Sequence, residues 1–474
     1  MQARNQVSEV QAAYERLRRA QVAAPFPSAD EREDRLERLA KLLVRYRDDF
    51  ARAVSDDFGT RARVETLMAD VMTTVDGVRD ARRHVREWMK RQPVAPHPFF
   101  LPSRAFVEYL PKGVVGVIAP WNYPVNLALA PLAGALAAGD RCLVKPSELT
   151  PRTSALLARA VAEVFTAEEV AVVEGGADVA QAVTRLPLDA LLFTGSTAVG
   201  RLVAKAAAEN LVPVTLELGG KSPALVHADF DLGRAAERIA VGKLFNGGQT
   251  CIAPDYALVP AGRERAFVSA LTRVVNTAYP RLDGLTSIAS DKAFARLQAL
   301  VADAKAKGAD VIELGELGKA GRVMTPVALL NVNDSMAVMQ EEIFGPILPV
   351  ETYGALDEAI ARIAARPRPL AFYYFDEDSR RADHVLSRVT SGGACVNDTL
   401  VHFAQEGLPF GGVGPSGMGA YHGRAGFETF SHARSVVVSS PLSPAGRLLK
   451  PPFSRLVESS LEVMISGVKQ LFGR

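Results

Sequence analysis

An α/β fold, doubly wound around a parallel sheet, is what the middle of this sequence predicts, on three observations. Short apolar runs recur at Val114 to Ala119, Arg141 to Val144, Val170 to Val173 and Ala190 to Phe193. Alanine- and leucine-rich segments of helical texture separate them, and a second α/β pattern follows Glu217. Near-continuous apolar strands alternating with helices are what a sheet buried on both faces requires. Ligands of such sheets sit at the carboxyl ends of the strands, so the residues just after each run are the candidates for chemistry.

Taken in order, the first ninety residues read as helices. Ser28 to Glu31 has capping-box spacing, and Leu36, Leu39, Ala40, Leu42 and Leu43 then recur at helical period. A second helical stretch runs from about Arg63 to Arg91. Pro93, Pro96, Pro98 and Pro102 follow, with Phe99, Phe100 and Leu101 among them. Proline supplies no ladder donor, so this passage is expected to be an extended connection or edge arm. Beyond the strand runs, helices are expected at Phe267 to Ala278 and Phe294 to Gly308, with strands near Val311 to Leu314 and Leu370 to Phe375. Ser391 to Gly426 is glycine-rich and irregular. In the tail, Leu456, Val457, Leu461, Met464, Ile465, Val468, Leu471 and Phe472 share one helical face, with Glu458, Glu462 and Lys469 opposite. That face either packs on the protein's own body or a dimer partner, or it lies on a membrane surface or shields the substrate mouth, and its few cations argue against the membrane.

Bulk properties bound the function. The 474 residues are 48% apolar, 23% charged and 7% aromatic, an average globular composition for two or three domains. Basic and acidic residues, 55 against 53, leave a net charge of +2, too little to recruit nucleic acid. Three cysteines make no disulfide framework and fit a reducing, cytoplasmic setting. The amino-terminal residues lack the apolar core of a secretion signal, and no run reaches a membrane-spanning length. The seven histidines are scattered with no cysteine or acid at ligand spacing, so no metal is expected.

Several short segments can carry chemistry. Phe193-Thr194-Gly195-Ser196-Thr197-Ala198-Val199-Gly200 follows one apolar run and opens a helix expected at Arg201 to Glu209. Glycines and free helix N–H groups there suit a phosphate, and a plain strand–helix turn has the same look. Lys145-Pro146-Ser147-Glu148 is placed to grip ribose hydroxyls, or is simply a helix start with proline and an acid in its first turn. Asn246-Gly247-Gly248-Gln249-Thr250-Cys251 gives a thiol an open backbone approach, which a nucleophile needs and a packed cysteine does not. Cys142, inside a strand run, reads as packing, as does Cys395. Glu217-Leu218-Gly219-Gly220-Lys221 offers a general base, or a surface Glu217–Lys221 pair. Asn122, after Pro120-Trp121, can donate to a developing oxyanion. Glu341-Glu342-Ile343-Phe344-Gly345-Pro346 presents a carboxylate and an aromatic face before a turn.

In this order, with PFGGVGPSGMGAYHG at 409–423, these motifs resemble the NAD(P)-dependent aldehyde dehydrogenase superfamily, in its class 3 branch. The resemblance implies a doubly wound Rossmann-like NAD-binding domain at 1–216 with an arm near 93–110, and a second α/β catalytic domain at 217–410. It further implies a return segment at 411–440 that forms an oligomerisation arm, with the tail at 441–474. Cys251 would be the nucleophile, Glu217 the general base, and Asn122 the oxyanion donor together with the Cys251 N–H. Lys145 and Glu148 would hold the adenosine ribose, and Gly195, Ser196 and Gly200 would lie at the pyrophosphate. Glu342 would hold the nicotinamide ribose and Phe344 the ring. Trp121 is counted with the cofactor residues, and with Tyr123 either lines the substrate entry or packs beside Asn122. The implied substrate is an aromatic, cinnamyl-type or medium-to-long-chain aliphatic aldehyde, and the implied assembly a homodimer. A carboxylate at 148 favours NAD over NADP, which this branch also tolerates. The competing readings are a CoA-acylating dehydrogenase, which has no need of Glu217, and a non-catalytic NAD-binding protein.

Overall fold

The computed structural model describes residues 2–282, 284–316, 321–443 and 450–471. The chain divides into two units, Met1–Val85 with Pro111–Ser431, and Arg86–Leu110 with His432–Arg474.

The larger unit holds two sheets. The first runs, edge to edge, Gly417–Met418, Val214–Leu218, Ala190–Gly195, Val114–Ile118, Arg141–Lys145 and Val170–Val172. All its pairings are parallel except that of the two-residue edge strand, where Gly417 faces Glu217. The chain leaves Val114–Ile118 for Arg141–Lys145 on one side and later returns to Ala190–Gly195 on the other. This reversal opens a crevice at the carboxyl ends of the two strands, where ligands of open α/β sheets bind. The helix Asn126–Ala138 is buried almost all round. The expected helix after Ser28 spans Ala29–Phe58. Its capping box is complete, Ser28 Oγ accepting from Glu31 N–H at 3.3 Å and Glu31 Oε2 from Ser28 N–H at 2.6 Å. Leu36, Leu39, Leu42 and Leu43 are fully buried beneath it, packed toward the helix Pro151–Val164.

The second sheet has seven strands: Asp310–Glu313, Val327–Leu330, Ile347–Tyr353, Tyr256–Pro260, Pro223–Val226, Ala371–Phe375 and Gly393–Val396. It is parallel apart from Asp310–Glu313. Its core gathers Leu225, Leu258, Leu329, Ile347, Phe372 and Tyr374. The second helical stretch is interrupted: between Arg63–Thr66 and Thr73–Trp88 lies a π-helical turn, Leu67–Met72. The glycine-rich stretch is only partly irregular, since it holds Gly393–Val396, Gly417–Met418 and the helix Gly423–Thr429.

The smaller unit is a three-stranded sheet in the order Gln92–Val94, Arg104–Pro111, Ser431–Val438, so the proline passage is an arm with strands at both ends. Glu108 receives Arg91 at 3.1 Å and Arg434 at 2.8 Å. The tail helix spans Arg455–Leu471, with Leu456, Leu461 and Ile465 exposed. Phe472 of the proposed stripe, and the side chains of Val468 and Leu471, lie outside the described residues. Among the described residues no helix is long and apolar enough to cross a membrane.

Candidate active site

The strand Val214–Leu218 delivers Glu217 one residue before its end, with Thr194 opposite in the neighbouring strand. Glu217 is 3% exposed, and neither carboxyl oxygen has a hydrogen-bond partner among the described residues. Burial raises its pKa well above the ordinary carboxylate range. The surface pair with Lys221 does not form, because Lys221 turns to Asp255 instead.

Cys251 is the one cysteine that is only partly buried. Burial raises its pKa first, followed by the nearby carboxylates of Glu342 and Glu217, whereas the N–H groups of Cys251 and Ile252 favour the thiolate. Sulfur, Glu217 and Glu342 thus share one site. The approach to the sulfur is a left-handed run, with φ of +54° at Asn246, +61° at Gly247 and +78° at Gly248. A Cβ on Gly248 would stand 2.4 Å from the Gly345 carbonyl oxygen, so only glycine lets the two loops meet.

Asn122 is buried, and its Nδ2 donates to the Gln249 carbonyl at 3.1 Å. Asn246 Nδ2 donates to the Asn122 carbonyl at 2.9 Å and to the Gln249 carbonyl at 3.2 Å. Arg61 Nη1 donates to the same Asn122 carbonyl at 3.3 Å. Asp70, carried on the π turn, pairs with Arg61 at 3.1 Å and accepts the N–H groups of Val125 and Asn126. A π turn re-aims side chains by one position, which is why such turns gather near functional sites. Glu65 accepts Asn246 N–H at 3.2 Å and is also bonded by Thr286. Sequence patterning missed these supports: Glu65 and Asp70 look like solvated helix charges and Arg61 like a loop charge ahead of them, although Asn246 and Gln249 lay within the quoted cysteine motif.

Glu342 packs its carboxyl against bare backbone, where a Cβ on Gly219 would lie 1.9 Å from Oε2. Burial, then the Asp255 carboxylate, raises its pKa to about 8 against the Gly220 N–H, Lys221 and Lys243. Phe344, at φ +53°, meets Trp121 edge to face at 5.5 Å, and Trp121 also touches Phe58. Tyr123 is buried with its hydroxyl on Thr250, so of the two readings it is packing beside Asn122.

The remaining candidates line the first sheet's carboxyl ends. Lys145, buried, pairs with the exposed Glu148. Ser196 caps the helix Thr197–Ala208, accepting Val199 N–H at 3.4 Å. Gly200 sits a turn later against Leu218, where a Cβ would come within 2.6 Å, so it allows the helix to pack closely on the strand. A helix start, a lysine–carboxylate pair and a crevice at the strand reversal fit a dinucleotide's phosphates and ribose. Cys142 is core, whereas Cys395 is paired, its sulfur 3.1 Å from His402 Nδ1. No group of three or more metal-ligating side chains occurs among the described residues.

This fold and site define a dinucleotide-dependent oxidoreductase with a cysteine beside the cofactor crevice. The chain belongs to the aldehyde dehydrogenase family, whose model matches residues 2–436. It oxidises aldehydes to carboxylic acids with NAD(P)+. It is 48% identical over 460 residues to a probable coniferyl aldehyde dehydrogenase of Pseudomonas aeruginosa, covering 96% of each chain. The substrate-bound state of Staphylococcus aureus AldH superposes with a TM-score of 0.91 at 36% identity, over 96% of this chain and 99% of that one. A Mycobacterium tuberculosis aldehyde dehydrogenase complexed with NAD+ gives 0.84 at 30% identity, over 92% and 91%.

Proposed function

We propose that the substrate is a cinnamyl-type aromatic aldehyde, oxidised through a covalent adduct on Cys251. The likeness to the Pseudomonas aeruginosa relative supports the substrate class. The observation that carries the mechanism is a buried, unpartnered carboxylate, Glu217, beside the partly open thiol of Cys251. The thiolate attacks the carbonyl carbon, and the resulting oxyanion receives hydrogen bonds from Asn122 Nδ2 and the Cys251 N–H. NAD+, when bound, accepts the hydride. The acyl group is left on sulfur as a thioester, and Glu217 takes a proton from the water that hydrolyses it. Lys145 and Glu148 would hold the adenosine ribose, Gly195 and Ser196 with Gly200 behind them would shape the pyrophosphate turn, and Glu342 would hold the nicotinamide ribose, with Phe344 and Trp121 as its aromatic neighbours. In this reading residues 1–216 bind the cofactor, 217–410 supply catalysis, and the arm strands at 93–110 and 411–440 join a cytoplasmic homodimer, with the tail helix's apolar face, exposed on the single chain, packed on the partner.

Intact-mass spectrometry under turnover tests the covalent step. An acyl adduct is expected in the parent protein, accumulates in Glu217→Gln and is lost in Cys251→Ala. An adduct-free parent overturns the mechanism. NADH formation across cinnamyl, benzyl and long-chain aldehydes tests the substrate class, and a long-chain preference overturns that part.

A further inference from the structure

The turn that carries Glu342 is gripped from both sides by side chains that the chemistry above leaves unused. Lys221 Nζ donates to the carbonyl of Val338 at 2.8 Å and to that of Glu341 at 3.1 Å. The same ammonium pairs with Asp255. Asp255 Oδ1 in turn accepts the N–H of Ile343 at 3.0 Å. The lysine–aspartate pair therefore holds the peptide units immediately before and after Glu342. Arg296 completes the grip from the helix Asp291–Ala306. Its Nη1 donates to Glu341 Oε1 at 2.9 Å and to the Glu342 carbonyl at 3.3 Å, and its Nη2 donates to the Ile343 carbonyl.

Asp255 stands at the start of a central strand, its N–H bonded to the Ser222 carbonyl at 2.7 Å. Lys221 closes the loop that begins at Gly219, just after the strand carrying Glu217. One ion pair, 13% and 4% exposed, thus joins the loop of the proposed base to the backbone of the proposed ribose ligand. Such a pair is shielded from solvent screening, and its hydrogen bonds to fixed backbone groups hold geometry as well as charge. The Glu342 carboxyl rests against Gly219 and accepts the Gly220 N–H, so the same clamp sets where its side chain can reach.

We propose that Lys221, Asp255 and Arg296 are positioning residues that fix the Glu342 backbone so that its carboxylate reaches the nicotinamide ribose. The inference rests on the reading of Glu342 given above. It assigns these three a role in dinucleotide binding and hydride transfer, not in the attack of Cys251 on its substrate.

The test compares Lys221→Met, Asp255→Asn, Arg296→Met and Glu342→Gln in the full-length protein. Three quantities are read: the NAD+ dissociation constant by titration, KM for NAD+ against kcat, and acylation of Cys251 by p-nitrophenyl acetate, which needs no dinucleotide. The clamp predicts that Lys221→Met and Arg296→Met weaken NAD+ binding at least tenfold more than they slow ester acylation. Asp255→Asn, which keeps an oxygen for the Ile343 N–H, shows a smaller loss. Equal losses on both sides would mean that the clamp only supports the fold, and would overturn the proposal. Unchanged NAD+ binding in Glu342→Gln would sink the ribose reading itself. Unchanged binding in the clamp variants with a loss in Glu342→Gln would sink the clamp alone. Arg296 is partly exposed, so its variant decides the matter should Lys221→Met fail to fold.

Discussion

The side-chain amide of Asn122 is bonded to the carbonyl of Gln249, two residues before Cys251, at 3.1 Å. One N–H of that amide is thereby engaged, and in the proposed mechanism its second N–H would donate to the oxyanion. A donor held before the charge develops costs no reorganisation when it is needed.

Removing it has a measurable consequence. Asn122→Ala is expected to lower kcat by about 100- to 1000-fold. Stopped-flow NADH formation checks this, and a loss smaller than tenfold would remove Asn122 from the oxyanion site.

Glu217 sets a pH dependence with two signs. As a general base it works ionised, so acyl-enzyme hydrolysis accelerates as pH rises through its elevated folded-state pKa. Stability moves the other way. The unfolded carboxyl ionises near ~4.3 while the folded one keeps its proton to higher pH, so stability contributed by the protonated form is lost as pH rises between the two. Glu217→Gln removes that slope. Denaturant titrations at pH 5 and pH 8 should show the parent losing more stability than the variant, and identical slopes would contradict the shift.

Cofactor choice turns on the pair of Lys145 and Glu148. A carboxylate there accepts from a ribose 2′-hydroxyl and repels a 2′-phosphate. Glu148→Gln is expected to cut the NAD-to-NADP ratio of kcat/KM by about tenfold, since 1.4 kcal/mol of lost discrimination corresponds to that factor. Steady-state kinetics on both cofactors decide, and an unchanged ratio would place the discrimination elsewhere.

The loops around the thiol tolerate no added atoms. Gly248→Ala puts a methyl group 2.4 Å from the Gly345 oxygen at a φ of +78°. The expected cost is about 2 kcal/mol or more, with loss of Cys251 acylation. Thermal unfolding and ester acylation measured together check it.

Much of this architecture was legible in the residues themselves. The Ser28–Glu31 box and the run Val114 to Ala119 use local signals, a cap and an apolar period, and the helix and strand appeared where expected. The candidate residues at strand ends were found the same way, because a parallel sheet puts its ligands there. What stayed hidden depends on distant partners. Lys221 sits four residues from Glu217, yet it pairs with Asp255, thirty-four positions away. Asp70 carries charge on a helical turn and Arg61 on the loop before it, and both are nonetheless fully buried, a choice that only packing reveals. The strand Gly417–Met418 is two residues long in a glycine-rich stretch, and its existence rests on the edge that Val214–Leu218 offers it.

The uneven accommodation of the three sulfur atoms gives an experimenter a census of working molecules. With Cys142 and Cys395 enclosed and Cys251 partly open, a small alkylating reagent should consume one equivalent per intact chain. Preparations can then be graded by the fraction labelled before any substrate has been chosen.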